Sequence, residues 1–296
     1  MGKPSVHPSG NVPRSLGMLV GSMAIFGSIG IFRRLIPLSS GLIAFFRGLV
    51  GAGCILLWQR IRKKPLSGTI HRRTFWLLTL TGGLIGFNWI LLFEAYRYTT
   101  VSIATLCYYM QPIFVVVLSA LLLRERLTLR KILCSVAALA GMVLVSGVTE
   151  SGLSGGNALG IAMGLGAAAL YAAVVLLNKH LPGIDPYEKT AVQLGAAAVA
   201  LIPYLLLTHP LADCRWSLSA VGLLLLVCIV HTGIAYVLYF GSMDGLKTQT
   251  VALFSYVDPV VALLLSAAVL GERLSPMGLL GAGMLLGAAL ICEWTG

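Results

Sequence analysis

The stretch Leu106-Cys-Tyr-Tyr-Met-Gln-Pro112 returns 147 residues later as Leu253-Phe-Ser-Tyr-Val-Asp-Pro259. Each copy is followed by an apolar run and then by Glu-Arg-Leu, which begins at Glu125 in the first copy and at Glu272 in the second. Over residues 106–127 and 253–274, ten of the twenty-two positions are identical without a gap. Apolar composition alone does not produce so many matches, so the chain contains an internal duplication.

The composition leaves little polar surface to face water. Hydrophobic residues make up 58% of the 296 residues, charged residues make up 10%, and the mean hydropathy is +0.92. A soluble domain carries about a quarter charged residues. We therefore expect an integral membrane protein. Its apolar runs are long and unbroken, which indicates an all-α protein, because the strands of a membrane barrel alternate between apolar and polar residues.

Ten segments are apolar over roughly the 20 residues that a helix needs to cross the bilayer. The predicted spans are 15–36, 39–59, 75–96, 99–122, 128–148, 157–178, 187–208, 217–240, 246–269 and 275–294. Together with the duplication they predict two five-helix repeats, 15–148 and 157–294. The Gly- and Ser-containing residues 149–156 form the predicted linker, and residues 1–14, with three prolines, form a predicted mobile tail.

Most of the basic residues that give the net charge of +11 lie in the short loops between the spans, so we expect no nucleic-acid partner. With the N-terminus inside, fifteen Lys and Arg residues fall in inner segments and five in outer ones. The positive-inside rule then predicts cytoplasmic termini in a plasma or inner membrane. Because five is an odd number, the two repeats must be inverted. Inverted repeats in secondary transporters place the substrate site between them, near the midplane.

Several other classes of protein lack their signatures in this sequence. The six cysteines are dispersed without metal-ligand spacing, and no Walker-type phosphate loop occurs. No HExxH motif, pair of catalytic acids or GxSxG motif with partners indicates a membrane enzyme. We expect no catalytic residue, metal or cofactor, and a small-molecule substrate for a monomer or weak homodimer in the lipid bilayer.

The duplicated motifs resemble those of the drug/metabolite transporter superfamily, EamA type. The resemblance is carried by Ala104 through Phe114 with Leu123-Arg-Glu-Arg-Leu127, and by Ala252 through Leu274. Two positions depart from the family pattern. Gly48 follows Phe46-Arg47 where the family has Phe, and Phe26-Gly-Ser28 stands for its Trp-Gly-Ser. The resemblance implies a secondary transporter with a central cavity that moves small metabolites such as amino acids, often outward.

Two ionisable residues inside spans are the first candidates for that cavity. Asp258 lies mid-span, where a charge costs several kcal/mol and so predicts a function. It could bind a substrate ammonium, carry a proton or cap the kinked backbone, and its repeat partner Gln111 is polar but neutral. Arg47 cannot shed its charge, and could clamp a substrate carboxylate or form a structural ion pair.

The repeated motif also places aromatic and bend-forming residues at equivalent positions. Pro112 and Pro259 each remove a backbone hydrogen bond in mid-helix, which predicts either a moving hinge or a static kink. Tyr109 and Tyr256 stand three residues before these prolines and should face the cavity or the seam between the repeats. With Tyr236, they would suit an organic ammonium or an amphipathic amino acid near Asp258.

Other polar residues complete the set of candidates. Asn88 is deep enough in the third span to be a cavity residue, whereas Glu94 with Arg97 predicts an ion pair at a helix end. His231 could form an interhelical hydrogen bond or join Asp258 in a proton relay. Clustered glycines, such as Gly278-x-x-Gly281, predict close helix packing.

Two functional hypotheses follow from these candidates. The first is secondary-active or facilitative transport of small polar or amphipathic metabolites, with export of amino acids or their relatives by alternating access. Asp258, Arg47, Asn88, Tyr256, Tyr109, Gln111 and Tyr236 are its predicted substrate-binding residues. The alternative is import of an organic or quaternary cation, such as a choline-like amine, bound by Asp258 and the tyrosines.

Overall fold

The computed structural model describes residues 12–63, 71–123, 128–145, 155–178, 180–181, 184–208, 216–243, 246 and 248–294. Regular structure within these ranges is helical throughout. The helices are α1 (Val12–Leu35), α2 (Ser40–Ile61), α3 (Arg72–Tyr98), α4 (Val101–Tyr108), α5 (Gln111–Leu123), α6 (Leu129–Val145), α7 (Gly155–Asn178), α8 (Pro186–Thr208), α9 (Leu218–Cys228), α10 (Ala235–Met243), α11 (Thr248–Ser255), α12 (Val257–Val269) and α13 (Pro276–Trp294). Most of the predicted tail and linker, and the Glu125-Arg126 pair, lie outside the described residues.

The predicted spans are confirmed as helices, with ends displaced by a few residues. Seven helices in the described part are long and apolar enough to cross a membrane, and three shorter apolar helices occupy the remaining spans. Large apolar side chains such as Leu129, Leu207 and Leu218 are exposed on the outer surface. In lipid such a surface is favourable, because apolar side chains meet hydrocarbon there and the helices satisfy their own backbone groups.

Two spans are interrupted where the sequence repeats its proline motif. Tyr109 separates α4 from α5 with φ −73° and ψ 3°, and Tyr256 separates α11 from α12 with φ −72° and ψ −5°. Pro112 and Pro259 lie three residues after these breaks. The helix breaks there because a proline ring clashes with the carbonyl of the preceding turn. The bend at both prolines is therefore present. Its role as a hinge stays a prediction.

A third irregularity, a π-helical turn at Ile229–Ile234, joins α9 to α10. Within it, the Thr232 hydroxyl lies 3.5 Å from the Val227 carbonyl oxygen, five residues earlier. Helical periodicity did not predict it, since the apolar run passes through it unbroken. A π turn rotates the residues that follow it, and such turns are frequent at functional sites.

The helices of the two halves pack against each other more than within each half. The most extensive contacts pair α6 with α13, α3 with α7 and α8, α2 with α8, and α1 with α10 and α12. Close approach of α6 and α13 depends on glycine: a Cβ at Gly281 would lie 2.5 Å from the Gly141 carbonyl oxygen. The predicted close packing at Gly281 is present, and α6 and α13 form a peripheral pair beside the other helices.

Candidate functional site

A cavity of about 500 Å³ lies among the remaining helices. Its described wall comes from α1, α2, α3, α4, α5, α7, α8, α10, α11 and α12, including the Tyr109 and Tyr256 breaks. None of the described wall comes from the peripheral α6 and α13. The volume is within the ~300–1,000 Å³ range of pockets that bind small molecules.

The wall is unusually polar for the interior of a membrane protein. Its polar residues are Arg47, Thr105, Gln111, Asn178, Lys189, Thr190, Gln193, Ser255 and Asp258. Its tyrosines are Tyr96, Tyr108, Tyr109, Tyr171, Tyr236, Tyr239 and Tyr256. Polar and ionisable groups inside a bilayer are expensive and mark substrate or ion pathways.

Much of the wall consists of residue pairs separated by the 147-residue repeat. Tyr109 pairs with Tyr256 and Gln111 with Asp258 at the helix breaks, and Trp89 and Phe93 of α3 have Tyr236 and Phe240 of α10 as partners. Arg47 has the apolar Leu194 as its partner. The duplication thus supplies a matched aromatic frame, and the charged groups are the positions where the two copies differ.

Arg47 projects from α2 and is 4% exposed. Its Nε donates to the Thr232 hydroxyl at 3.0 Å, and its guanidinium carbon lies 4.1 Å from the centroid of the Trp89 ring. Two ion pairs, Arg34–Glu272 and Arg97–Glu94, are formed among the described residues, and Arg47 belongs to neither. Its outer N–H groups therefore remain available to a ligand that enters the cavity.

Glycines of α2 bring the supporting helices close to Arg47. A Cβ at Gly48 would lie 2.8 Å from the Leu194 carbonyl oxygen, and a Cβ at Gly51 would lie 2.5 Å from the Thr232 methyl carbon. The departure from the family pattern at Gly48 has this physical reason: a Phe at that position would collide with α8. The π turn supplies Thr232, which holds the guanidinium against Trp89.

Asp258 lies in the first turn of α12, directly after the second helix break. The Tyr109 hydroxyl donates to the Ser255 carbonyl oxygen at 3.4 Å, and Tyr109 lines the cavity with Asp258. The rings of Tyr109 and Tyr256 face each other with centroids 6.1 Å apart. Gln111 Oε1 is buried and accepts no hydrogen bond from the described residues. The two breaks thus bring together a carboxylate and an unused amide oxygen.

Three predicted site residues lie outside the described wall of the cavity: Asn88, His231 and Pro259. The Asn88 amide nitrogen donates to the Ala167 carbonyl oxygen at 2.5 Å, which joins α3 to α7. His231 Nε2 lies 2.9 Å from the Ser28 hydroxyl, and its ring packs edge-on against Phe32. His231 thus forms the interhelical hydrogen bond of the first alternative. The binding and proton-transfer roles of these residues stay predictions.

Four wall residues of α8 were not predicted as site residues: Lys189, Thr190, Gln193 and Leu194. Lys189 counted only toward the positive charge of the inner segments, but it lies in the first turn of α8 and lines the cavity. Gln193, one turn later, donates through Nε2 to Thr81 at 2.7 Å and to Asn178 Oδ1 at 2.8 Å. The signal for Lys189 and Gln193 was the position of Lys189 just inside an apolar span, with a glutamine four residues later.

A cluster around Glu272 joins three helix ends. Its carboxylate accepts hydrogen bonds from Arg34 at 3.0 Å, from the Val101 backbone N–H at 2.7 Å and from the Ser266 hydroxyl at 2.5 Å. Arg34 also donates to the Thr99 carbonyl oxygen at 2.7 Å. Glu272 therefore caps the N-terminus of α4, a helix that belongs to the other half of the chain.

The expected ion pair between Glu94 and Arg97 is present at the end of α3, with 2.9 Å between the charged groups. The Arg97 side chain is 55% exposed, so solvent screens the pair. Pairs of this kind contribute at most about 1 kcal/mol. The pair belongs to the protein surface and takes no part in the cavity wall.

A multi-pass helical membrane protein with a polar, small-molecule-sized cavity at its centre has the architecture of a membrane transporter. The profile of the EamA-like transporter family matches residues 14–147 and 158–293. The chain belongs to this family, within the drug/metabolite transporter superfamily.

Individual relatives extend over most of the chain. The chain is 31% identical over 260 residues to the uncharacterized transporter YxxF of Bacillus subtilis, covering 86% of this chain and 81% of that protein. It is 30% identical over 289 residues to YwfM of the same organism, covering 94% and 93%. Protein PecM of Dickeya dadantii is 26% identical over 261 residues, covering 87% and 84%.

A solved crystal structure resembles the whole fold. Its TM-score is 0.66 at 17% sequence identity, and the match covers 96% of this chain and 98% of that one. At this identity the likeness concerns the fold alone.

Proposed function

We propose that the protein is a secondary-active or facilitative transporter of small polar or amphipathic metabolites, which exports amino acids or their relatives by alternating access. One observation carries the proposal. Arg47 and Asp258 line the same cavity, and no salt bridge joins them in the described part of the chain. A fixed cation and an acid on one wall match the two charges of an amino acid.

The unpaired charges favour a ligand with both signs. A charge that is removed from water without a partner costs several kcal/mol in a medium of low dielectric constant. A zwitterion compensates both groups at once, with its carboxylate on Arg47 and its ammonium on Asp258. A guanidinium is well suited to the first contact, because it binds a carboxylate through two parallel hydrogen bonds.

Gln111 favours a primary amine over a quaternary one. Its buried Oε1 accepts no hydrogen bond within the described residues, and it occupies the position equivalent to Asp258. A buried acceptor without a donor costs about 1–3 kcal/mol. An ammonium with N–H groups supplies the missing donor, whereas a quaternary ammonium has none to give.

The aromatic wall provides for the rest of an amphipathic substrate. Phe26 packs edge-on against Tyr236 at 5.3 Å, and Tyr236 stacks on Phe240 at 5.8 Å. These rings lie on the same cavity wall as the charged groups. An apolar or aromatic side chain would bury its surface against them while its charged end remains between Arg47 and Asp258.

Transport by alternating access requires two related halves, and we propose that residues 15–148 and 157–294 are inverted repeats joined by the linker 149–156. By the 147-residue offset, α1, α2, α3 and α6 correspond to α7, α8, α9–α10 and α13. When each helix is exchanged for its equivalent, the contact of α3 with α7 becomes that of α10 with α1. The pairs α2–α8 and α6–α13 are unchanged by the exchange. The matching dihedral angles at the two tyrosine breaks have the same origin. Such repeats rock about a site at their interface.

The charge distribution supports cytoplasmic termini and a plasma or inner membrane location. In that orientation we propose that Asn178, Lys189 and Met243, at the inner ends of their spans, mark the cytoplasmic end of the cavity and that the Glu272 cluster closes its outer end. The described conformation is then an inward-facing state. The Arg34–Glu272 pair serves as an outer gate that must open for substrate release.

The alternative, import of an organic or quaternary cation, is favoured by a different observation: Tyr109 and Tyr256 lie beside Asp258, and aromatic faces attract cations. A choline-like ligand leaves Arg47 and Gln111 without partners. Binding of choline that is lost in Asp258→Asn and retained in Arg47→Met would support this alternative.

Counterflow in proteoliposomes tests the proposal. Proteoliposomes that contain the purified protein are loaded with an unlabelled amino acid. The accumulation of the labelled amino acid inside them is then measured for wild type, Asp258→Asn and Glu94→Gln. We expect counterflow by wild type and by the surface control Glu94→Gln, and its loss in Asp258→Asn. Wild-type protein that carries no amino acid in either direction, under any ion gradient, would overturn the proposed substrate class.

A further inference from the structure

The cavity wall contains a third charged side chain, Lys189, which a simple zwitterion leaves without a partner. Lys189 is half-buried in the first turn of α8. Neither recorded ion pair of the described residues includes it. The neighbouring Asp185 caps α8 through Oδ1, which accepts hydrogen bonds from the Tyr187 and Glu188 backbone N–H groups and from Gln59, and Asp185 does not line the cavity.

The amide of Asn178, on the same wall as Lys189, also offers donors, and Gln193 determines its orientation. Gln193 lies four residues after Lys189 and therefore on the same face of α8. It donates to Asn178 Oδ1 at 2.8 Å, which turns the Asn178 oxygen toward α8. The Asn178 amide nitrogen donates to no group in the described ranges. An ammonium and an amide NH₂ thus lie on one wall with no acceptor, which is the donor set that an anionic group requires.

The charges of the whole wall point in the same direction. Among the described lining residues two are cationic, Arg47 and Lys189, and one is acidic, Asp258. A neutral amino acid balances one cation and the acid, and leaves the second cation uncompensated. A substrate with one further anionic group balances all three.

On the basis of the transport function proposed above, we propose that the preferred substrates are amino-acid-like metabolites with a second acidic group. The ammonium binds at Asp258 and Gln111, one carboxylate binds Arg47, and the second anionic group binds at Lys189 and Asn178. Dicarboxylic amino acids are the simplest members of this class, and a cavity of about 500 Å³ also admits larger ones.

Glutamate and glutamine form the matched pair of probes, because they differ in the charge of one terminal group. In counterflow, we expect wild type to prefer glutamate. Lys189→Gln removes the charge and keeps the length of the side chain. The charge-assisted hydrogen bond it removes corresponds to a loss of roughly 10- to 100-fold in apparent glutamate affinity. We expect glutamine transport to fall by a smaller factor, because its amide oxygen accepts a hydrogen bond from Lys189 but carries no charge to pair with the ammonium.

Two further variants keep the test sharp. Lys63→Gln removes a lysine that follows α2 outside the described lining, and should leave the glutamate-to-glutamine ratio unchanged. Asn178→Asp places a carboxylate on the same wall as Lys189 and should lower the ratio as Lys189→Gln does. Thermal melting of each purified variant identifies any loss of folding.

The outcomes separate this inference from the proposed function. An unchanged glutamate-to-glutamine ratio in a folded Lys189→Gln variant, or wild-type transport of neutral amino acids with no preference for glutamate, overturns the second anionic site alone. Wild-type protein that carries no amino acid at all overturns both.

Discussion

Replacing Arg47 by Met should abolish recognition of the substrate carboxylate while leaving the fold intact. Methionine keeps an unbranched apolar side chain beside Thr232 and the Trp89 ring, and removes the charge and its donors. A charge-assisted hydrogen bond contributes about 1.5–3 kcal/mol, which corresponds to roughly a 10- to 100-fold loss of affinity for an amino acid.

Arg47→Met should raise the stability of the folded protein or leave it unchanged. Arg47 is 4% exposed, and none of the described residues forms a salt bridge with it, so the folded state bears the cost of desolvating its charge. The variant loses the contact with the Trp89 ring, a contribution of about 0.5–2 kcal/mol. Thr232 keeps an acceptor, because its hydroxyl lies 3.5 Å from the Val227 carbonyl oxygen. We expect a melting temperature equal to or above that of wild type.

Calorimetric titration of the detergent-purified protein measures this prediction with two ligands, an amino acid and the amine that lacks its carboxylate. Affinity for the amino acid should fall in Arg47→Met, and affinity for the amine should not. Thr232→Val is the matched control, since it keeps the Arg47 charge and removes one hydrogen bond. It should lower the binding free energy of the amino acid by roughly 0.5–1.5 kcal/mol. Equal losses for both ligands, or a loss below about threefold, would refute the carboxylate clamp.

Three further predictions concern the amine site, the gate and the helix packing. Gln111→Leu should weaken binding of a primary amine by about tenfold relative to its trimethylated analogue, measured by the same titration. Glu272→Gln should lower the melting temperature by removing the charge that pairs with Arg34 and one of the two acceptor oxygens, whereas Glu94→Gln should change it little; equal shifts would count against the Glu272 cluster. Gly281→Leu should lower the melting temperature by separating α6 from α13, and Gly283→Leu should not, because no atom lies within 4 Å of a Cβ at Gly283.

The outline of the fold was predictable because lipid imposes it. A helix must be long and apolar to cross the bilayer, so hydropathy located the spans to within a few residues. The interruptions before Pro112 and Pro259 followed from the geometry of the proline ring. Asp258 and Arg47 stood out because a charged group inside a span is rare and costly. These signals are local, and a single sequence displays them directly.

The details of the cavity depend on contacts between distant segments, which local signals do not encode. Asn88 and Asp258 looked alike as polar residues inside spans, but only the structure distinguishes a side chain that bonds a neighbouring helix from one on the cavity wall. Lys189 counted only toward the charge of the inner segments, and a single lysine near a span end does not show that its side chain lines a cavity. The π turn that supplies Thr232 leaves no mark in hydropathy, since its residues continue the apolar run.

The central claim is that this cavity opens to one side of the membrane and then to the other with substrate inside. Ser255→Cys introduces a thiol on the cavity wall with little change in volume. Its labelling by a membrane-impermeant maleimide is compared with that of wild type, whose cysteines supply the background. The account predicts labelling from either face of sealed vesicles, and protection from both faces by saturating substrate. Labelling from one face alone under every gradient, or labelling that substrate does not change, would contradict it.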